Sequence, residues 1–382
     1  MKIIMILGIT EELFPLVDIA RENGYKVLAT DRNPDSKGLK YVDIPVILDS
    51  LDKEKVLELA VKYKVEAVTT RTEMLLPTIS FICEKLGLFG PSVLVSSLSN
   101  DKYLFREFMK NAGVAVPDYL LVDECTTVEQ IENVLAYPFI LKPVDFSGSG
   151  GVVLIENRKD FIKHKVESLS SSVSKRAIAE SFLYGKEYSV ETVSQHDVTH
   201  IVAITEKHIV GEQRFVEDRH IIPANLSSAA EQSIKKEVEE MANVMGMNNC
   251  IAHTEVMLTS RGPVIIETAS RPGGDNICFK LVELATGINM YQNMLNLSLG
   301  IKVEYTATRK SFSGIQFITP LNKSAINKCL TLKEEHKVPK FVEFYFKDNL
   351  SSELKQSIDR LGYFICSSNR RDTLSESLDF YK

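Results

Sequence analysis

The chain has 382 residues, 44% of them hydrophobic and 25% charged, with a formal net charge of −6. That length predicts two or three domains rather than one core. The composition is that of a soluble globular protein, and the acidic balance argues against a nucleic-acid partner. The six cysteines, Cys83, Cys125, Cys250, Cys278, Cys329 and Cys366, are scattered without a C-x-x-C pair. This argues against a zinc site or a disulfide framework and points to a reducing, cytoplasmic setting.

The N-terminal MKIIMILGIT carries only a short apolar run before Glu11 and Glu12. It reads as a first strand, not a signal peptide, and no apolar stretch approaches the roughly 18 residues that would span a bilayer, so no membrane partner is expected. Lys2–Leu7, Tyr25–Thr30, Val42–Leu48 and Ala67–Thr70 read as strands. Helical spacing over Leu13–Asn23 and Lys53–Lys64 alternates with them, predicting a doubly wound parallel α/β sheet over residues 1–95. The first turn, Gly8-Ile-Thr-Glu-Glu, lacks G-x-G-x-x-G, and its acids would repel a pyrophosphate. A bare scaffold is the better reading than a nicotinamide dinucleotide site. Glu73 follows a predicted strand, where open α/β sheets bind ligands; a solvated helix cap is the other reading.

A helix is expected from about Asn100 to Ala112, ended by Gly113 and Val116-Pro117. Leu120–Val122, Phe139–Lys142 and Val152–Ile155 read as strands of a small α+β unit, with helices near Thr127–Leu135 and Lys159–Ser168 and two further strands around Gly185 within Ala177–Val193. Inside it lies FILKPVDFSGSGGVVLIEN, residues 139–157. A P-loop places its lysine after the glycines and before a helix. Here Lys142 precedes Ser147, Gly148, Ser149, Gly150 and Gly151, and β-formers follow, predicting strand, flexible turn, strand. Such a loop can lay backbone N–H groups against phosphate oxygens while Lys142 supplies charge; an ordinary hairpin with a serine-rich tip is the alternative.

Residues 253–275 read HTEVMLTSRGPVIIETASRPGGD. Two strands, Thr254–Leu258 and Pro263–Glu267, flank a polar turn and each carries a carboxylate, Glu255 and Glu267. On one face of a hairpin the pair could share a hard cation such as Mg²⁺ together with substrate phosphates. Arg271, Gly273 and Gly274 follow, suiting close approach to a carboxylate or phosphate.

These residues together resemble the ATP-grasp carboxylate–amine ligases over roughly residues 1–300, most nearly the L-amino-acid (dipeptide) ligase branch. The resemblance implies an ATP-grasp fold: the N-terminal α/β domain over 1–95, and an ATP-grasp region over 96–300 with a small lid sheet at about 116–182 and a larger antiparallel catalytic sheet. Residues 301–382, with a strand at Gly314–Ile318 and a lysine-rich, helix-like run near 322–337, look like an accessory lobe without chemistry of its own. It further implies that Lys102 and Lys142 contact nucleotide, that Ser147, Gly148, Ser149 and Gly150 form a flap over the phosphates, and that Glu180, Phe182 and Leu183 meet adenine while Glu187 meets ribose. Glu255 and Glu267 match metal ligands, for Mg²⁺ or Mn²⁺. Arg271 matches the arginine facing the reacting phosphoryl and acyl groups; Glu217, His220 and Gly274 match the amino-acid pocket, with Glu73 and Gly273 added as substrate-side candidates. His220 also reads as a core histidine satisfied by backbone.

One departure is at Ala269, where the family often has the asparagine of E-x-N, so an amide ligand is missing. The activity implied is attack of a carboxylate on the γ-phosphorus of ATP, then of an amine on the resulting acyl phosphate. ATP, a small carboxylate and a small amine are the expected partners, with a homodimer as the expected assembly. A purine-pathway or carboxylase-type enzyme and a non-catalytic ATP-binding protein remain as alternatives.

Overall fold

The computed structural model describes residues 2–146, 150–210, 215–321, 327–328, 342–347, 354 and 356–379. Its first sheet is parallel and four-stranded, built from β1 (Lys2–Leu7), β2 (Tyr25–Asp31), β3 (Ile44–Ile47) and β4 (Ala67–Thr69) in the order β3-β2-β1-β4. The continuous apolar run of β1 is buried on both faces, as parallel strands require: Ile4 and Ile6 pack on one side with Leu13, Leu16 and Val17, while Ile3, Met5 and Leu7 pack on the other with Val56 and Ile79. The strand ends deliver Glu73, in a 3₁₀ turn just after β4, to the C-terminal edge of the sheet.

The expected helix near 100–112 is two helices, Val93–Asn100 and Lys102–Asn111. Asp101 breaks the run because its side chain accepts from Leu104 N and caps the second helix, which starts with Lys102.

The lid sheet comprises β5 (Tyr119–Val122), β6 (Phe139–Pro143), β7 (Val153–Ile155) and β8 (Ala177–Ser181), ordered β5-β8-β6-β7. β6 and β7 pair antiparallel with Phe139 opposite Ile155, which is the strand, turn, strand arrangement read from the sequence. The pleat decides direction: Phe139 and Leu141 enter the lid core, and Ile140 and Lys142 face the opposite way, into the cavity described below. The two strands expected around Gly185 belong to different sheets, because the chain leaves the lid after β8 and enters the large sheet at β9 (Gly185–Gln195).

That large sheet continues through β10 (Val198–Val210), β11 (Val216–Ile222), β12 (Cys250–Thr259), β13 (Gly262–Ala269), β14 (Phe312–Ile318), β15 (Glu343–Phe346) and β16 (Gly362–Ser368). Its order is β13-β12-β9-β10-β11-β14-β16-β15, with every adjacent pair antiparallel. β14, β15 and β16 therefore extend the sheet that carries β12 and β13, and the expected boundary near residue 300 does not separate two sheets. Helix Ser228–Met245 packs Ile234, Val238 and Met241 against one face of the sheet through Tyr188, Val190, Ala252 and Val256. The opposite face at this end carries the charged side chains of the site. A C-terminal helix, Arg371–Leu378, is pinned to β10 and the loop after β11 by Arg371, which donates to Glu206 Oε2 at 2.6 Å and Pro223 O at 2.7 Å. The run at 322–337 lies outside the described residues apart from 327–328. Among the described residues no helix is long and apolar enough to cross a membrane.

Candidate active site

Lid, first sheet and large sheet converge on a cavity of about 460 Å³. Its wall includes Glu73, Lys102, Lys142, Glu180, Phe182, Leu183, Glu187, Glu217, His220, Glu255, Glu267, Arg271 and Gly274, which the sequence placed on separate segments. Ser147, Gly148 and Ser149 lie outside the described residues. Gly150 is buried against the Phe146 ring and is not on the wall, and Gly151 beside it has φ +74°, a left-handed turn that glycine alone adopts without strain.

Glu255 and Glu267 are direct cross-strand partners of β12 and β13, beside a bulge that follows Glu255. Both reach the cavity because β12 alternates, sending His253, Glu255 and Met257 to it and Ala252 and Val256 into the core beneath. Each carboxylate has a lysine. Lys102 Nζ lies 3.2 Å from Glu267 Oε2 and donates to Phe146 O at 2.8 Å. Burial works against the Lys102 charge, but Glu267 and Glu73 outweigh it and hold the ammonium above its usual range. Glu255 Oε1 accepts from Lys207 Nζ at 2.6 Å.

The sequence reading missed Lys207. It sits on β10 within a ring of Glu187, Glu217 and Glu255, contacting Glu187 closely and standing 3.7 Å from Glu217 Oε1. Burial opposes its charge, yet the three glutamates raise it well above the ordinary lysine value. Burial likewise opposes the Glu255 anion, and Lys207 with His253 overcomes it, holding that carboxyl well below its normal range. Glu187 is pushed up to about 7 by burial, which Lys207 resists but Glu255 and Glu217 reinforce. Flanked by Glu206 and His208, Lys207 resembles a solvated strand; the period-two pattern that puts Thr205, Lys207 and Ile209 on one face was the available signal.

A second set of charges lies under the lid. Lys142 Nζ is 2.7 Å from Glu180 Oε2, and the fully buried Arg106 brings Nε to 2.7 Å from Glu180 Oε1, off the direction of an aligned hydrogen bond. Arg106 also donates to Ile266 O. Burial would protonate Glu180, but Arg106 and Lys142 together keep it below the usual carboxylate range. Its side chain thus works as the anchor of two cations, beside Phe182 and Leu183. Phe182 faces Phe215 with centroids 6.2 Å apart, and Ile140, Ile209, Met257 and Ile266 complete an apolar slot. Such a slot suits a flat aromatic base.

Arg271 spans to the first sheet: its Nε and Nη2 donate to Glu73 Oε2 at 3.2 and 2.7 Å. Burial opposes the guanidinium charge, and Glu73 raises it above its ordinary value. Gly273 is behind the wall rather than on it. A Cβ there would lie 2.5 Å from Glu191 Oε1 and 2.6 Å from His253 Nδ1, so glycine makes room for this pair. His253 Nδ1 bonds the fully buried Glu191, and His253 Nε2 is 3.8 Å from Glu255 Oε1. Burial would neutralise His253, but Glu191 lifts it to about 9. His253 is the cross-strand partner of Ala269, so an imidazole faces the position where an asparagine was expected. Beyond Gly274, Asp275 meets His220 and Arg360, and Ser357 Oγ donates to Glu217 Oε2 at 2.9 Å. These C-terminal side chains, from a segment the sequence reading left without chemistry, form one end of the site.

The donor chemistry fits a hard divalent cation at Glu255 and Glu267: two carboxylates in register, each already against a lysine ammonium. Among the described residues no group of three or more His, Cys, Asp or Glu is arranged to hold a metal by itself, so phosphate oxygens would have to complete the shell.

A small sheet over a large antiparallel sheet, with paired carboxylates, lysines and an apolar slot between them, makes a fold of the ATP-grasp type. The ATP-grasp domain family matches residues 135–279 of this chain. Alanine–anticapsin ligase of Bacillus subtilis strain 168 is 28% identical over 314 residues, which is 75% of this chain and 65% of that protein. The chain thus spans less than two thirds of that relative's length. The L-amino acid ligase of Bacillus licheniformis superposes with a TM-score of 0.80 at 22% identity, covering 99% of this chain and 96% of that one. The N5-carboxyaminoimidazole synthetase of Staphylococcus aureus complexed with ADP gives 0.79 at 18% identity, with coverage of 99% and 96%. At these identities the structures establish the shared fold.

Proposed function

We propose that this chain is an ATP-dependent ligase that joins a carboxylate to an amine through an acyl phosphate, with an amino acid as substrate and ADP and phosphate as products. The observation that carries the reading is the convergence of Glu255 and Glu267, in direct register, with Lys102, Lys142 and Arg271 around one cavity that has an apolar slot at its lid end. The ligase names of the relatives support it. In this reading the slot takes adenine, Lys102 and Lys142 meet phosphate oxygens, and Glu187 lies on the ribose side. Mg²⁺, or Mn²⁺, would be held by Glu255 and Glu267 and would neutralise phosphate charge there. Arg271, held by Glu73, would steady charge on the acyl and phosphoryl oxygens. Glu217, His220 and Gly274 line the end left for the amino-acid substrate.

The test is phosphate release from ATP with amino acids supplied in pairs, in Mg²⁺ and in Mn²⁺, with product identified by mass spectrometry. Pair-dependent phosphate release with a condensed product is expected, and Glu267→Gln should remove it while leaving the fold intact. Phosphate release that instead requires bicarbonate or a phosphorylated ribosylamine would assign the chain to the purine-pathway or carboxylase-type alternative. Nucleotide binding without turnover on any of these would make it a sensor. A cytoplasmic setting and a homodimer belong to the same reading; the described cysteines are all free, and sedimentation decides the assembly.

A further inference from the structure

The first sheet contributes a third arginine to the cavity. Arg71 lies on the wall with Thr10 and Thr72, all three beyond the C-terminal ends of β1 and β4, where open α/β sheets bind ligands. The turn that carries Arg71 is fixed by Thr70, whose Oγ1 donates to Leu7 O at 2.8 Å and accepts from Thr72 N at 3.0 Å. Arg71 is therefore presented by pinned backbone. The charges that act on it include Arg271, Tyr291 and Asp275, which puts it at the substrate end of the cavity and not at the apolar slot.

The other charges of the wall pair without it. The three lysines of the wall, with Arg106 and Arg271, each stand within 3.2 Å of a carboxylate of the same wall. Each carboxylate of the wall in turn lies no more than 3.7 Å from a cation other than Arg71. Among the described residues the one anionic partner of Arg71 is Glu12, from the 3₁₀ turn Glu11–Leu13, which is not on the wall and whose side chain is 60% exposed. An ion pair with so exposed an acid is worth little. Burial is the main cause that pulls the Arg71 pKa below its ordinary value, and the Arg271 charge adds to it. An anion set against the guanidinium would relieve both. Arg71 Nε is sealed and has no hydrogen-bond partner among the described residues, so the Nη edge is the part left to meet such a ligand.

We propose that Arg71, with the hydroxyls of Thr10 and Thr72 beside it, binds a carboxylate that the substrates carry in addition to the one being activated. The inference rests on the ligase reading above and narrows its substrates to a pair with a further acid at this end of the cavity. A guanidinium flanked by hydroxyl donors suits a carboxylate. Two sources share that chemistry: the side-chain carboxylate of a dicarboxylic acyl donor, and the α-carboxylate of the amino acid that serves as the amine. In this arrangement Arg271, tied to Glu73, meets the carboxylate that takes the phosphoryl group, and Arg71 meets the one that does not. Arg71 touches no reacting atom, and its effect is on which substrates bind.

The experiment measures phosphate release by the full chain, with ATP and Mg²⁺, on matched acids and carboxamides. One arm varies the acyl donor, glutamate against glutamine and aspartate against asparagine. The other varies the amine, each amino acid against its α-carboxamide, and mass spectrometry of the product shows which partner was activated. In at least one arm the wild type should prefer the acid by about tenfold or more in kcat/KM, as a charge-assisted contact gives, and in Arg71→Gln that preference should vanish. Arg71→Lys should show a reduced preference. Glu12→Gln removes the partner outside the wall but not the guanidinium, and should keep the preference. The arm that responds identifies the source of the acid. Circular dichroism and melting check each variant, and should Arg71→Gln fail to fold, the contrast between Arg71→Lys and Glu12→Gln carries the test. A wild type that turns over acids and carboxamides alike, or a preference unchanged in the folded Arg71 variants, overturns the inference alone. An equal loss of preference in Glu12→Gln and Arg71→Gln would make the pair a structural tie and overturns it as well. A wild type that releases no phosphate with any pair overturns the ligase reading and this inference with it.

Discussion

Lys207 Nζ stands 2.6 Å from Glu255 Oε1 at the centre of three glutamates, so one cation from β10 holds a carboxylate of β12 that the sequence suggested for metal binding. Neither residue is arranged by its own strand alone, because β9 lies between β10 and β12 and the contact reaches across it.

Removing that cation should be expensive. Lys207→Met leaves Glu187, Glu217 and Glu255 facing one another with little water, and breaking such a buried group of charges costs about 3 kcal/mol or more. Urea unfolding should show a clear drop in midpoint, and Lys207→Arg should recover part of it. A midpoint equal to wild type in Lys207→Met would show that the three carboxylates are solvated well enough to need no counterion.

The parts of this arrangement that the sequence disclosed are those set by local pattern. The alternation around Glu255 and Glu267 predicts a hairpin with both acids on one face, and they are cross-strand partners. The run of β1 matches Lys2–Leu7, and Lys142 leads into the glycine turn as its position suggested. What stayed hidden depends on distant segments. Arg106 reads as a polar residue of an amphipathic helix, and only the approach of β8 from 74 positions away makes it a buried partner of Glu180. His253 and Glu191, or Asp275 and Arg360, are ordinary charges until strand pairing brings them together. The C-terminal strands carry no motif, and their place beside β11 is a matter of sheet order that local periodicity does not encode.

Lys142 has two roles that one substitution separates. In Lys142→Ala the buried Glu180 keeps Arg106, so the fold should survive with a loss of about 1.5–3 kcal/mol, the usual worth of a charge-assisted bond. The apparent ATP requirement should rise by about tenfold or more. Denaturant titration reads the first effect and ATP dependence of phosphate release reads the second. A stability loss with unchanged ATP dependence would confine Lys142 to anchoring Glu180.

The C-terminal helix should make stability sensitive to acid. The bond to His208 is the main cause that lowers Glu206 to about 2, with burial opposing and Asn225 N and Arg371 adding to it. A carboxyl depressed in the folded state stabilises above its unfolded value near 4.5, and that contribution is lost as pH falls from there through about 2. Allowing for solvent screening, about 1–2 kcal/mol is at stake. Glu206→Gln should therefore be less stable than wild type at pH 6, and the gap should narrow steadily below about pH 4.5 and close only below about pH 2. A gap that is constant across this range would mean that Glu206 contributes through packing and not through its charge.

The neighbouring glycines 273 and 274 should respond differently to the same added methyl. At Gly273 the new Cβ would be 2.5 Å from Glu191 Oε1 and 2.6 Å from His253 Nδ1, distances at which something must move. The obstacle is a buried, ion-paired couple with little freedom to shift, and Gly273 N also donates to Glu191 Oε2 at 3.2 Å. Gly273→Ala should then cost about 1–3 kcal/mol, as overpacking does. It should also disturb catalysis, because His253 backs Glu255 and Arg271 lies two residues upstream. At Gly274 nothing lies within 4 Å of the added carbon, and the residue is on the cavity wall. Gly274→Ala should leave the melting temperature unchanged and, under the proposed function, act only on the apparent affinity for the amino acid proposed to fill that end of the cavity. Melting curves and substrate titrations on the two variants distinguish these outcomes. Equal stability for both would show that the Glu191–His253 couple yields readily, and that it does not brace the wall as the packing around Gly273 indicates.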